Sequence, residues 1–206
     1  RNVASIQFLA KKLSQTGITP DQISMLSIAF SIGAAFSFYG LFLSHHSMFA
    51  IIAAVCIQLR LLCNLFDGMV AVEGGKGTPV GILYNEIPDR ITDGIIFVSL
   101  GYALGSIYEG IFLGWLAAFL SVFTAYVRVL STSVGAPTQF KGPMAKSHRM
   151  AALTLACVCV PIEQYYYGSI HYSLLIALVL INLGAVITLI RRTLATASFL
   201  KRKSHV

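Results

Sequence analysis

Carboxylates and carboxamides recur at helical spacing in two stretches of an otherwise apolar sequence. The first holds Arg60, Asn64, Asp67 and Gly68; the second holds Asn85, Glu86, Asp89, Arg90 and Asp93. At about 100° per residue, Arg60, Asn64, Asp67 and Ala71 fall within an arc of about 60°. Asn85, Asp89 and Asp93 climb one helix face at i, i+4 and i+8, with Glu86 on the same side. Two helices joined by a short turn run antiparallel, so depths can be matched at about 1.5 Å per residue. Asp67 and Asn85 then lie at the mouth, Asn64 and Asp89 about a turn deeper, and Arg60 and Asp93 deeper again. The spacing predicts Arg60–Asp93 as a buried ion pair flooring the site. Above it, the oxygens of Asn64, Asp67, Asn85 and Asp89, with Glu86 beside them, suit a hard cation, magnesium or manganese. Such a site neutralises phosphate charge and orients an attacking hydroxyl. A polar network that only packs two helices together is the other reading.

The elements that must hold these groups are membrane spans. Of 206 residues, 56% are hydrophobic and 11% charged, with a mean hydropathy of +0.77. A soluble domain carries roughly twice that share of charge. Residues 23–43, 48–71, 81–104, 111–130, 150–167 and 174–190 approach the about 20 apolar residues that a span needs. The fifth is short and interrupted by Pro161. The fold class is therefore all-α: a polytopic membrane protein with six transmembrane helices. Residues 3–13 place Val3, Ile6, Leu9, Ala10 and Leu13 on one face, which predicts a short N-terminal amphipathic surface helix. Thr19 suits a helix cap and Pro20 the first turn of the first span. Residues 73–79, rich in glycine, read as a tight inner loop.

Charge sets the orientation. With a cytosolic N-terminus, every Lys and Arg outside the spans falls on inner segments, and the outer loops near His45, Ser106–Gly110 and His171 hold none. That positive-inside pattern supports an even number of spans, and Tyr165, Tyr166, Tyr167 and Tyr172 form an outer aromatic belt. Topology and anionic lipid account for the net charge of +7 without nucleic acid. Cys56, Cys63, Cys157 and Cys159 lie inside spans and read as buried free thiols. The sequence starts at Arg1 with no cleavable signal peptide in view, and an initiator methionine is expected to have been trimmed. A second constellation follows the fourth span: Arg128, Lys141, Gly142, Lys146, Ser147 and Arg149. Bases beside a metal site suit a phosphorylated or anionic acceptor. Ordinary positive-inside charge explains Lys141 equally well.

The run Asn64-x2-Asp67-Gly68-x2-Ala71, then Gly81-x3-Asn85-x3-Asp89, resembles the signature of CDP-alcohol phosphotransferases, D-x2-D-G-x2-A-R-x8-G-x3-D-x3-D. Spacing agrees over 26 positions, and both signature glycines are kept. Asn64 and Asn85 replace the first and third aspartates, and Val72 replaces the arginine. The combination of N-x2-D-G with N-E-x2-D resembles a divergent bacterial subgroup.

The resemblance implies one domain over 1–206, with a surface helix at 1–16, a six-helix bundle at 20–200 and a basic tail at 201–206. It implies a homodimer in a bacterial inner membrane with both termini cytosolic. The implied reaction, a step in phospholipid biosynthesis, moves a phosphatidyl group from CDP-diacylglycerol to the hydroxyl of a small polar acceptor, releasing CMP. Mg²⁺ or Mn²⁺ is the implied cofactor, Asn64, Asp67, Asn85, Asp89 and Glu86 its ligands, and Asp89 the general base. Asp67, Gly68, Ala71 and Gly81 would meet the CDP moiety, and Arg128, Lys141, Lys146 and Arg149 the acceptor. Two asparagines weaken the hold on a second cation. Two other classes stay open: a cation transporter or channel using the buried carboxylates, and an inactive relative acting as a scaffold.

Overall fold

The computed structural model describes residues 12, 17–73, 80–105 and 109–203. Within them lie six long helices: α1 Pro20–Ser44, α2 Met48–Glu73, α3 Gly81–Leu104, α4 Gly110–Ser133, α5 Lys146–Tyr167 and α6 Tyr172–Lys203. The surface helix expected at 1–16 and the loop expected at 73–79 lie outside the described residues, apart from Lys12 and Glu73. By length and composition α1, α2, α4 and α6 are apolar enough to cross a membrane. α3 and α5 each have a proline inside, Pro88 and Pro161.

Neighbours pack in the order α1, α2, α5, α6, α4, α3 and back to α1, a closed ring of helices. Small residues make this packing close. α1 buries Ser24, Ser27, Ser31, Ala34 and Ser37. The Ser31 and Ser37 hydroxyls donate to carbonyls one turn back, so the stripe is polar in composition but satisfied. At the α3–α4 crossing a Cβ on Gly114 would stand 2.6 Å from the Phe97 carbonyl oxygen, so backbone meets backbone there. The outward surface is apolar, with Phe36 70% and Leu155 66% exposed, while Arg60 and Asp93 are 0% exposed. That distribution suits a lipid solvent, in which apolar side chains have no reason to hide.

Thr19 caps α1 as expected. Its hydroxyl accepts from the Gln22 backbone N–H, and the Gln22 side-chain Oε1 accepts from the Thr19 N–H. The four cysteines are free thiols, as expected. The basic tail expected from 201 starts inside α6, because Lys201–Lys203 continue the helix. Between α4 and α5, Gly142 has φ +120°, and a Cβ there would stand 2.7 Å from the Thr188 Cα. Two residues on, the Met144 N–H donates to Thr188 Oγ1 at 3.0 Å, so this connection is pressed onto α6.

At the opposite end, Tyr165, Tyr166 and Tyr167 are exposed. Glu163 accepts from the Tyr172 and Ser173 N–H groups at 2.8 and 2.7 Å and caps α6. His171, in the α5–α6 turn, meets His45 edge-on with ring centroids 6.3 Å apart. Burial first, and then the His45 charge, push the His171 imidazole below its ordinary value, while Glu163 opposes. A folded-state value below the unfolded one, about 6.5, means stability present above that pH and lost as pH falls through it. Thermal unfolding should show a lower midpoint at pH 5.5 than at 7.5, and His171→Gln should flatten that difference. An unchanged pH dependence in the variant would remove His171 from this account.

Candidate active site

All six helices send side chains to one end of the ring. Near its start α1 supplies Ser24, and the last turns of α2 supply Arg60, Asn64 and Asp67. The first turns of α3 supply Asn85, Asp89 and Asp93, and α4 adds Thr124 and Arg128. Lys146 and Arg149 open α5, and Arg192 comes from α6. Alternating helix direction makes this possible, since the ends of α2, α4 and α6 meet the starts of α1, α3 and α5.

The floor is larger than the predicted pair. Arg60 Nη2 pairs with Asp93 Oδ1 at 2.7 Å, and Arg149 Nη2 pairs with Asp93 Oδ2 at 3.0 Å. Arg60 also donates to Thr92 Oγ1, from Nε at 3.1 Å and from Nη2 at 2.6 Å. Arg149 Nη1 donates to the Met144 carbonyl at 3.1 Å. One buried carboxylate thus joins two arginines. Arg149, expected at an acceptor, does double duty: it lines the cavity described below and holds the floor.

Above the floor, Asn64 Nδ2 donates to Asp89 Oδ1 at 2.6 Å. Asp67, 3% exposed, accepts from Ser24 Oγ and from the Gly68 N–H, both at 2.6 Å. Lys146 Nζ forms an ion pair with Asp89 Oδ1. Asn85 is half-buried one turn before Asp89, and Gly68, Ala71 and Gly81 are half-buried beside the layer. Among the described residues no group of three or more His, Cys, Asp or Glu could hold a metal. The donor set is two carboxylates with two amides, a combination of hard oxygens that fits one magnesium or manganese ion.

A cavity of about 300 Å³ opens beside Asp89. Its walls carry five cationic side chains: Arg90, Arg128, Lys146, Arg149 and Arg192. Arg192 Nη1 donates to the Thr124 carbonyl at 2.8 Å, and its Nε to the Lys141 carbonyl at 3.1 Å. Two expected residues sit elsewhere. The Lys141 side chain is exposed, because its backbone precedes the tightly packed Gly142 and offers its carbonyl inward to Arg192. The Glu86 carboxylate turns to arginines: Arg128 Nη2 lies 2.7 Å from its Oε1, and Arg90, one turn on, also pairs with it. His148 is exposed, with Nδ1 2.9 Å from the Pro143 carbonyl oxygen.

Residues 17–190 match the family described as CDP-alcohol phosphatidyltransferase. The chain belongs to that family. It is therefore a transferase of substituted phosphate groups and a multi-pass membrane protein. Family membership decides against the transporter reading. Among relatives, the phosphatidylinositol phosphate synthase of Streptomyces avermitilis is 26% identical over 185 residues, covering 87% of this chain and 72% of the relative. That of Mycobacterium bovis is 30% identical over 93 residues, 45% of this chain and 40% of the relative. The crystal structure of the Mycobacterium tuberculosis phosphatidylinositol phosphate synthase with CDP-DAG bound has the same fold, with TM-score 0.72 at 19% identity and 94% of each chain covered. Another structure of that enzyme, in complex with manganese and citrate, superposes with TM-score 0.71 at 19% identity, covering 93% of this chain and 88% of that one.

Proposed function

We propose that this member of the CDP-alcohol phosphatidyltransferase family moves a phosphatidyl group from CDP-diacylglycerol to a hydroxyl of a small phosphorylated acceptor, releasing CMP. The observation that carries the phosphorylated acceptor is the cavity beside Asp89, walled by five cationic side chains against one carboxylate. Guanidinium forks match phosphate oxygens in pairs, and five cations around one cavity carry more positive charge than an uncharged polyol could use. The M. tuberculosis relative solved with CDP-DAG bound supports the donor.

The bonds balance simply. The acceptor oxygen attacks the phosphorus that bears the diacylglycerol. The bond from that phosphorus to the bridging diphosphate oxygen breaks, and CMP departs with the bridging oxygen. Asp89, at the junction of cavity and carboxylate layer, takes the acceptor proton. Asn64, Asp67, Asn85 and Asp89 would hold a magnesium or manganese ion, which supplies neutralising charge to the diphosphate. Gly68 and Ala71 keep the α2 surface low where the nucleotide would lie, next to Asp67 and Gly81. Arg128, Arg149 and Arg192 would hold the acceptor phosphate. Engagement of Arg128 by Glu86 makes Glu86 a partner of the acceptor pocket and removes it from the proposed metal ligands.

The finer membrane arrangement is part of the same proposal. One domain of six spans, with a surface helix before the first, sits in a bacterial inner membrane as a homodimer, active end and both termini toward the cytosol. The absence of Lys and Arg from the outer loops supports that orientation.

Purified protein given labelled CDP-diacylglycerol, Mg²⁺ and a panel of acceptors should release CMP, faster with inositol phosphate or glycerol phosphate than with the free polyols. Arg192→Gln should raise the acceptor KM about 10-fold or more, the worth of a charged hydrogen bond. Absence of CMP with every acceptor would sink the transferase reading in favour of an inactive scaffold. Equal rates with free polyols would sink the phosphorylated acceptor.

A further inference from the structure

The carboxylate layer carries Asn64 and Asn85 where the signature has aspartates, so two carboxylates remain in place of four. A cation of the chain's own lies against one of them. Lys146 Nζ pairs with Asp89 Oδ1, the oxygen that also accepts from Asn64 Nδ2. Arg60 Nη2 stands 3.7 Å from that oxygen on the floor side.

We infer that the Lys146 ammonium is a resident cation of the carboxylate layer: it takes the place of a second divalent ion, and the layer binds a single one. The inference rests on the divalent-ion reading given under the proposed function and deepens it. Two observations connect here that a purely acceptor-binding lysine leaves unrelated. Loss of two carboxylates removes the negative charge that would hold a second divalent ion. The remaining carboxylate best placed to share such an ion is already neutralised by an ammonium. Lysine suits this role, since its charge is compact and sits at the end of a flexible stem. Its stem starts at the first residue of α5, which follows the connection pressed onto α6, so the ammonium is delivered from a held position.

Counting bound ions tests this without relying on turnover. Full-length protein in detergent micelles is titrated with Mn²⁺, and free Mn²⁺ is followed by electron paramagnetic resonance. The wild type should bind one ion per chain. Asn85→Asp alone should still bind one, because Lys146 keeps its place. Asn85→Asp with Lys146→Gln should bind two, and Asn85→Asp with Lys146→Arg should return to one. Lys146→Met in place of Gln repeats the decisive arm if the Gln variant fails to elute as the wild type does. Two ions on the wild type, or on Asn85→Asp with Lys146 present, would overturn the inference. So would a single ion once the lysine is gone. No bound Mn²⁺ on the wild type would instead bring down the divalent-ion reading on which the inference stands.

Discussion

Asp89→Asn should lower phosphatidyl transfer by 100-fold or more while the protein keeps its fold. A positioned general base contributes about 10²- to 10⁴-fold to a rate. Among the described residues, Asp89 is the one carboxylate that both faces the cationic cavity and belongs to the carboxylate layer. The isosteric amide keeps an oxygen to accept the Asn64 Nδ2 hydrogen bond, now 2.6 Å long, and so preserves the α2–α3 contact. It removes the charge that faces Lys146 and the basicity that would take a hydroxyl proton. The measurement is CMP release per chain, beside gel filtration and thermal unfolding of the same sample. A variant within a few-fold of wild type would remove Asp89 from the chemistry.

Asp93→Leu should be the most damaging single change in stability. Breaking a buried ion pair by removing one partner costs about 3–5 kcal/mol, because the other charge stays buried alone. Here one carboxylate neutralises both Arg60 and Arg149. Even in the intact protein, Arg60 Nη1 and Arg149 Nε find no hydrogen-bond partner among the described residues. Arg60→Met should cost less, because Asp93 retains Arg149. The double variant Arg60→Met with Asp93→Leu should recover part of the loss, leaving one stranded arginine instead of two. Denaturant unfolding in micelles gives the four values of the cycle. Asp93→Leu within about 1 kcal/mol of wild type, or a double variant no better than that single one, would dismantle the floor as described.

Hydropathy locates every helix among the described residues, and several helices run past their apolar stretch. The apolar stretch at 174–190 becomes a helix reaching Lys203, and the one at 150–167 starts at Lys146. Hydropathy marks the slab of chain that lipid accepts, whereas backbone hydrogen bonding continues into the polar interface. The carboxylate layer was legible because its members sit on two consecutive helices, where spacing translates directly into depth. The cationic cavity was legible only in part. Arg192 looks like any other topology charge, next to the exposed Arg191, and its carbonyl partners 51 and 68 residues away distinguish it. Ser24 is one of a row of small residues on α1, and its bond to Asp67 spans 43 positions. Glu86 satisfied the spacing rule for the metal face and still turned aside, because Arg128 arrives from a helix that spacing within α3 does not see.

The contact between Gly142 and Thr188 has a consequence for how acceptors are told apart. Ordering a backbone residue costs about 1–2 kcal/mol of conformational entropy. For the segment entering α5 that loss is incurred during folding, since glycine at φ +120° and the Met144 N–H bond hold it against α6. A ligand entering the cavity meets a preorganised wall and has no loop to freeze. On the proposed assignment of this cavity to the acceptor, selection would depend on size and charge in a rigid cup, and a poor acceptor would be refused at entry instead of being moulded into place.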